Sequence, residues 1–469
     1  MVRNHYDVII IGAGPAGIFT ALELVARGEE KLKILIIEKG RDIPQRTCPA
    51  KEKSIKCVHC SPCSIVCGWG GAGAFSDGKL TLSTEVGGWL EQYIGERKLA
   101  ELINYIDGIY LEYGAPDKVY GMENEEAIEE IQRQAVLAEL KLVPAPIRHL
   151  GTGRCGQILE RMKNALVAKG VEVHTCEAVE RLVVEDNVIK GVETADRRIF
   201  FGRYVVVAPG REGAEWLAQE AKRLQLEMAV NPVDIGVRVE LPAAVMEHLT
   251  KVIYESKLIY HSRAFDDKVR TFCMNPYGEV VTENNDGLIT VNGHSHAHKK
   301  TENTNFALLV SKTFTEPFKE PIAYGKYVAR LANLLGGGVI VQRLGDLLDG
   351  RRTTYDRLRK GLVRPTLEDA TPGDLSLVFP YRHLVAIVEM LQALDKIAPG
   401  VASRHTLLYG VEVKFYSSRL QLNKELETKI TNLYAAGDGA GVTRGLAQAS
   451  VAGVVAARSI LAKEGVKLA

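Results

Sequence analysis

The sequence predicts an α/β protein: a Rossmann-like, dinucleotide-binding domain interrupted by an inserted α+β domain. Three observations predict it. The chain opens with an apolar run, a glycine turn and a helical pattern, IIIGAGPAGIFTALEL, followed by a second apolar run, KILII. Near the other end, NLYAAGDGAGVTRGLAQASVAGVVAARSIL returns to the same order of strand, glycine turn and helix. Between them lie short β-rich segments such as DIGVRVEL, VRTFCMN and GLITVNG.

The elements follow in order. Tyr6 to Ile11 is apolar on both faces, as a buried parallel strand needs. Gly12, Gly14 and Gly17 make the turn, Ile18 to Arg27 the helix, and Lys33 to Ile37 the second strand, with Glu38 at its end. That is a βαβ unit with an acid about 20 residues beyond its glycines. After a cysteine-rich loop (48–67) and a glycine-rich loop, Leu99, Leu102, Ile103, Ile106, Ile109 and Tyr110 recur at helical spacing, as do Ile128, Ile131, Ala135 and Ala138. Residues 93–146 read as a helical insertion. CGQILERMKNALVAKG, VEVHT and YVVVAPG resume the first domain. The expected division is 1–92, 147–215 and 405–469 for the dinucleotide-binding domain and 216–404 for the inserted substrate domain.

Bulk properties exclude several classes. At 469 residues, two or three domains are expected. The 59 Lys and Arg nearly balance the 58 Asp and Glu, so no global field draws the chain to nucleic acid or a membrane surface. The N-terminal apolar run is too short for a secretory signal, and no stretch reads as long and apolar enough to span a bilayer. A cytoplasmic location is expected. Five of the 8 cysteines crowd into one short segment, which in a reducing compartment argues for metal over disulfides.

The glycine turn has a mechanism. Its glycines allow a tight turn, close approach to a pyrophosphate and close helix–strand packing, and the helix N-terminus supplies N–H groups to the phosphates. Pro15 and Ala16 line the turn; Glu38 would accept hydrogen bonds from the adenosine ribose hydroxyls, and Lys39 follows it. LYAAGDGAG resembles the second FAD signature of flavoproteins, in which Asp438 would bind the pyrophosphate–ribityl region and the next helix, through Gly437, Gly445, Leu446 and Ala447, would aim at the flavin. VVVAPGR resembles their middle motif, which implicates Pro209 and Gly210, with Val179 nearby. There is no second glycine fingerprint for a nicotinamide domain, although NAD(P)H stays open as a diffusible donor.

The segments GWGGAGAFSDGKLTL (Gly68 to Leu82) and GDGAGVTRGLAQASVAG (Gly437 to Gly453) carry a wider resemblance. Over nearly its whole length the chain resembles an uncharacterised prokaryotic family of FAD-dependent dehydrogenases, the NAD(P)/FAD-dependent oxidoreductases. The resemblance implies a glutathione-reductase-type FAD fold with an inserted substrate domain, and FAD as cofactor. It implies that Gly70, Gly71, Ala72 and Gly73 run along the flavin, with Ser76, Asp77 and Lys79 as hydrogen-bond donors or acceptors. Lys79 is also a candidate for stabilising reduced flavin. No substrate follows from it beyond a small molecule.

Cys57, Cys60 and Cys63 have the spacing of a ferredoxin run, which predicts a [4Fe–4S] cluster with Cys48 or Cys67 as fourth ligand. Structural zinc and free thiols are the alternatives, and His59 lies within the run. A cluster feeding a flavin suggests electron transfer with a ferredoxin-like partner. Alternating His294, His296 and His298 would share one strand face; His294 and His296 are candidate proton donors, a metal site being the lesser reading. Cys273 and Cys155 read as structural. The basic stretch Arg351, Arg352, Arg357, Arg359, Lys360 and Arg364 suits an anionic substrate, an acidic carrier or RNA, with a solvated helix face as the default.

Overall fold

The computed structural model describes residues 4–28, 32–53, 58, 60–76, 78–151, 154–229, 231–285, 287–295, 300–314, 320–414 and 419–466. They form two compact units, one of residues 1–119, 146–229 and 417–469 and one of residues 120–145 and 230–416.

The first unit is built on a parallel sheet in which the strands Glu172–Thr175, Ile34–Glu38, His5–Ile11 and Ile199–Val207 lie side by side, with Leu433–Ala435 next to the last. Continuous Val and Ile runs make these strands apolar on both faces, and nearly every residue of His5–Ile11 and Ile34–Glu38 is buried. The pairing Ile11 with Ile37 and with Val207, and Val207 with Ala435, brings four strand ends level. The turns that follow them therefore gather at one sheet edge, where an α/β sheet binds ligands. Strand Ile199–Val207 also begins beside the antiparallel hairpin Val179–Glu185 and Val188–Thr194.

Helix Pro15–Arg27 and the closing helix Leu446–Lys463 cover this sheet. They cross closely because Gly453 has no side chain; a Cβ there would strike the Ala16 carbonyl. Thr20 Oγ1 donates to Ala16 O at 2.8 Å and Gly453 O at 3.2 Å at this crossing. The closing helix corrects one expectation. With 18 residues and a mean hydropathy of 1.2, it is long and apolar enough to cross a bilayer, yet it is 72% buried inside the protein core.

The stretch 93–146 does not form a unit of its own. Helix Glu96–Glu112 buries Leu99, Leu102, Ile103, Ile106 and Tyr110 in the first core. Helix Glu125–Leu137 places Ile131 and Ala135 in the second core, and Lys141–Val143 pairs with Lys257–Ile259 at the edge of the second sheet. Helical periodicity marks both helices but cannot say which apolar surface each will cover. Likewise Leu407–Lys414 pairs with Val233–Pro242 in the second unit, so the first unit resumes only past residue 416.

The second unit centres on an eight-stranded sheet. Strand Val233–Pro242 alternates: Ile235, Val237 and Val239 join an apolar core with Met390 and Leu394 of helix Tyr381–Ile397, while Asp234, Arg238 and Glu240 take the opposite face. That polar face meets the hairpin formed by Glu279–Asn285 and Leu288–His294. Arg238 and Glu412, both 0% exposed, pair there bidentately at 2.7 Å. Arg238 also donates to Cys273 O, Asn305 Oδ1 and the hairpin's Asn292 Oδ1.

Candidate functional site

In the first unit, the four level strand ends bring together the glycine turn, Glu38, the glycine loop, the Pro209–Gly210 turn and the start of the closing helix. A Cβ on Gly12 would meet the Ala208 carbonyl and lie 3.4 Å from Pro209 Cα, and one on Gly437 would lie 3.0 Å from Ala16 Cβ. Gly70 N–H donates to Ala13 O at 2.7 Å, Gly71 faces Gly14 and Pro15, and Gly73 faces the Leu446 side chain. Ala72 is exposed beside them, and Ala447 is buried one residue into the closing helix.

Glu38 is the knot of this site. Its buried carboxylate accepts the N–H groups of Ala13 (2.9 Å), Gly40 (2.8 Å) and Gly68 (2.9 Å), tying the glycine turn to the glycine loop. Its carbonyl accepts the N–H of Glu177 at 3.0 Å, which brings the chain leading into Val179 alongside. Lys39 reaches Glu212 at 3.2 Å. At the opposite rim, Asp438 accepts Thr443 Oγ1 (2.9 Å) and the Gly445 N–H (3.1 Å), with Arg211 at 3.6 Å. Burial raises the Asp438 carboxyl above its ordinary range, opposed by Arg211, the Gly445 N–H, Thr443 and Arg444.

A dinucleotide cofactor fits this edge. Gly14, Gly210 and Gly445 all face open space, with nothing within 4 Å of where a Cβ would stand. Gly17, by contrast, packs onto the Gly12 carbonyl, which lets helix Pro15–Arg27 aim its N-terminus at the same space. Phosphates placed there would meet helix N–H groups and no side chain.

The other candidates fall out differently. Ser76 Oγ is engaged in its own turn, donating to Gly73 O (2.9 Å) and accepting from Gly78 N–H (3.1 Å). Lys79 opens the short strand Lys79–Thr81 opposite His149. Asp77, Cys57, His59, His296 and His298 lie outside the described residues. His294 is exposed at the end of its strand, opposite Glu279. Ser295 Oγ donates to Asn275 next to it. Cys155 is buried and donates to Gly73 O at 3.2 Å, a structural tie. Much of the basic stretch is already paired: Arg351 with Asp346 and Asp349, and Arg359 with Asp356.

Among the described cysteines, Cys60 is exposed, Cys48 and Cys63 are half-buried and Cys67 is buried. Cys67 N–H donates to Cys63 O at 2.9 Å, closing a single turn between the two residues. Burial pushes the Cys67 thiol up to about 12, with Lys39 opposing and Glu212, Glu38 and Cys63 adding. Among the described residues, no group of three or more His, Cys, Asp and Glu stands ready to hold a metal.

Sequence reasoning missed Arg46. Its buried guanidinium donates to the carbonyls of Ser64 (2.8 Å), Ile65 (2.9 Å), Trp69 (2.6 Å) and Gly71 (2.9 Å). One side chain thereby laces the cysteine loop to the glycine loop. A lone Arg before Cys48 carries no motif, so no sequence signal could have found it.

Two family models match. Residues 232–415 match "FAD-dependent protein, C-terminal domain-like", and residues 366–465 match "Glucose inhibited division protein A". An uncharacterized protein of Clostridium beijerinckii is 28% identical over 482 residues, spanning 97% of this chain and 80% of its own. Among solved structures, L-proline dehydrogenase from P. horikoshii is 13% identical with a TM-score of 0.38, covering 99% of this chain and 94% of its own. 3-Ketosteroid-Δ4-(5α)-dehydrogenase from Rhodococcus jostii is 13% identical with a TM-score of 0.45, covering 97% of each chain. The family matches and the glycine-lined edge together support an FAD-dependent oxidoreductase.

Proposed function

We propose that the protein is an FAD-dependent dehydrogenase acting on a small molecule, with a [4Fe–4S] cluster on the cysteine loop exchanging single electrons with the cofactor. FAD, when bound, supplies two-electron exchange with an organic substrate and one-electron exchange with a carrier. The chain's own residues do the rest. The N-terminus of Pro15–Arg27 and the backbone of Gly12 to Gly17 receive the pyrophosphate, and Glu38 receives the ribose hydroxyls. Asp438 and the start of the closing helix hold the other end. His294, and with it His296, holds the proton that reduction of a double bond requires.

The observation that carries the cluster reading is the Arg46 lacing. Four carbonyls on one guanidinium fix the cysteine loop onto the glycine loop, which Glu38 in turn ties to the dinucleotide turn. A metal centre held by Cys57, Cys60, Cys63 and either Cys48 or Cys67 would stand beside the cofactor site, and a small acidic ferredoxin-like protein is the matching electron partner. Anaerobic purification followed by assays for FAD, iron, sulfide and zinc tests it. About four irons per chain with sulfide and flavin supports the relay. Flavin with stoichiometric zinc and no sulfide would end it and leave an NAD(P)H-linked flavoenzyme whose cysteine loop is a brace.

A further inference from the structure

We propose that the outer face of helix Pro321–Gly336, in the second unit, docks on an anionic lipid bilayer surface.

This helix turns its small side chains inward and its large apolar ones outward. Gly325, Val328, Ala329 and Ala332 are buried, the last three in the second core. Tyr327 (63% exposed), Leu331 (43%), Leu334 (80%) and Leu335 (50%) face solvent. Their spacing of i, i+4, i+7 and i+8 puts all four on one stripe. A helix whose sole duty is the core shows the opposite distribution. Among the described residues, no other helix exposes more than two large apolar side chains. Scattered exposed apolar residues need no explanation, whereas a contiguous patch marks a contact surface. The ridge is also held in place. Asn333, on the flank of the helix, donates to Ile289 O at 2.7 Å and accepts from Ile289 N–H at 2.9 Å, and Gly337 closes the end with an N–H bond to Asn333 O.

Charge selects the occupant. The helix carries Lys326 and Arg330, both exposed, and no acid within its 16 residues; Glu320 stands at its N-cap. Neither cation has a carboxylate partner among the described residues, and Arg330 lies 5.6 Å from the centre of the Tyr327 ring. Both follow one edge of the stripe, at i−1 and i+3 from Tyr327. In an antiparallel pair of two copies that edge would fall on the same side of both helices, and Arg330, one residue from the middle of the stripe, would meet its own copy. Area also argues against a second copy. At about 24 Å long and about 10 Å wide the ridge offers roughly 240 Å², well short of the ~800 Å² per partner of a stable protein interface. A bilayer surface asks less. Leucine and tyrosine enter the headgroup boundary, and the basic edge reaches the lipid phosphates along its own apolar stems. The helix is shorter than the ~20 residues that cross a membrane, so it lies on the surface.

Flotation of the full-length purified protein tests this, with vesicles of phosphatidylcholine alone and of equal parts phosphatidylcholine and phosphatidylglycerol. Variants are used after their thermal midpoint and flavin content have been matched to wild type. Wild type is expected to float with the mixed vesicles and not with the neutral ones. Leu331→Glu with Leu334→Glu should abolish flotation. Lys326→Gln with Arg330→Gln should weaken it about tenfold or more, each cation near an anionic surface contributing about fivefold. Wild type that floats with neither vesicle overturns the inference. Flotation that survives the double glutamate variant but is lost at high salt assigns binding to the basic stretch 351–364 and overturns it as well. So does a wild-type dimer in sedimentation that the double glutamate variant turns into a monomer, since a second copy would then own this face.

Discussion

Replacing Glu38 with Ala strips the acceptor from three N–H groups, those of Ala13, Gly40 and Gly68. Buried donors left without partners cost about 1–3 kcal/mol each. Glu38→Ala is expected to lose roughly 3 kcal/mol in urea unfolding, the lost bonds being partly replaced by water. It should also purify with well under half the wild-type flavin. Wild-type stability and flavin content in that variant would show that the knot is dispensable. A second single-residue effect comes from His383. Burial holds its ring down at about 4, with Lys312 adding, Asp267 opposing and Arg382 adding, and neither ring nitrogen has a partner among the described residues. Below about pH 6.5 the unfolded chain takes up a proton that the folded chain refuses until about pH 4. Stability should therefore fall by about 3 kcal/mol as pH drops through that window. Urea midpoints at pH 7 and pH 4.5 measure the slope, and His383→Leu should flatten it; an unchanged slope would assign the acid sensitivity to other groups.

Helices and strands here depend on close approach as much as on apolar pattern. Gly453→Val would drive a side chain into the Ala16 carbonyl at the crossing of the first and closing helices. We expect a loss above about 3 kcal/mol, read as a fall in thermal midpoint or in soluble yield. A midpoint within a degree of wild type would mean the helices can slide apart at little cost. In the second unit, the buried pair of Arg238 and Glu412 links strands Val233–Pro242 and Leu407–Lys414 to the hairpin that ends at His294. Arg238→Met alone strips the buried Glu412 carboxylate of its bidentate partner and leaves it to Lys414 at 3.2 Å, which should cost about 3 kcal/mol. Arg238→Met with Glu412→Leu should recover most of that loss. A double variant as unstable as the single would show that the asparagine contacts, rather than the ion pair, hold the hairpin. Neither residue was legible as a partner of the other, because 174 residues separate them and only strand pairing makes them neighbours.

At the level of the whole molecule, two units are built from an interleaved chain, so each core draws on distant sequence. The first unit should gain stability from its cofactor by mass action, about 2.7 kcal/mol at a flavin concentration one hundred times its dissociation constant. Calorimetry of flavin-stripped protein with and without added FAD checks this. A transition that does not move with FAD would place the cofactor outside this unit.

The dinucleotide edge was readable from the chain because its parts are local. IIIGAGPAG and its acid Glu38 lie within a single βαβ span, and AAGDGAG carries its own strand, turn and helix. A strand end, a turn and a helix start are set by neighbouring residues, so their chemistry shows in neighbouring letters. DIGVRVEL was legible as a β-rich segment, and the strand it forms sorts Arg238 and Glu240 from Val237 and Val239. What the chain did not disclose is everything that depends on which surfaces meet. Helix Glu96–Glu112 and helix Glu125–Leu137 carry similar apolar stripes, yet one packs in the first core and the other in the second. Arg46 closes over the cysteine loop, and Trp89 over Arg444, through contacts between residues that no local pattern joins. Periodicity states that a face is apolar and a charge is present, while the partner of each is chosen by packing and by the need to satisfy buried polar groups, which act between residues far apart in the chain.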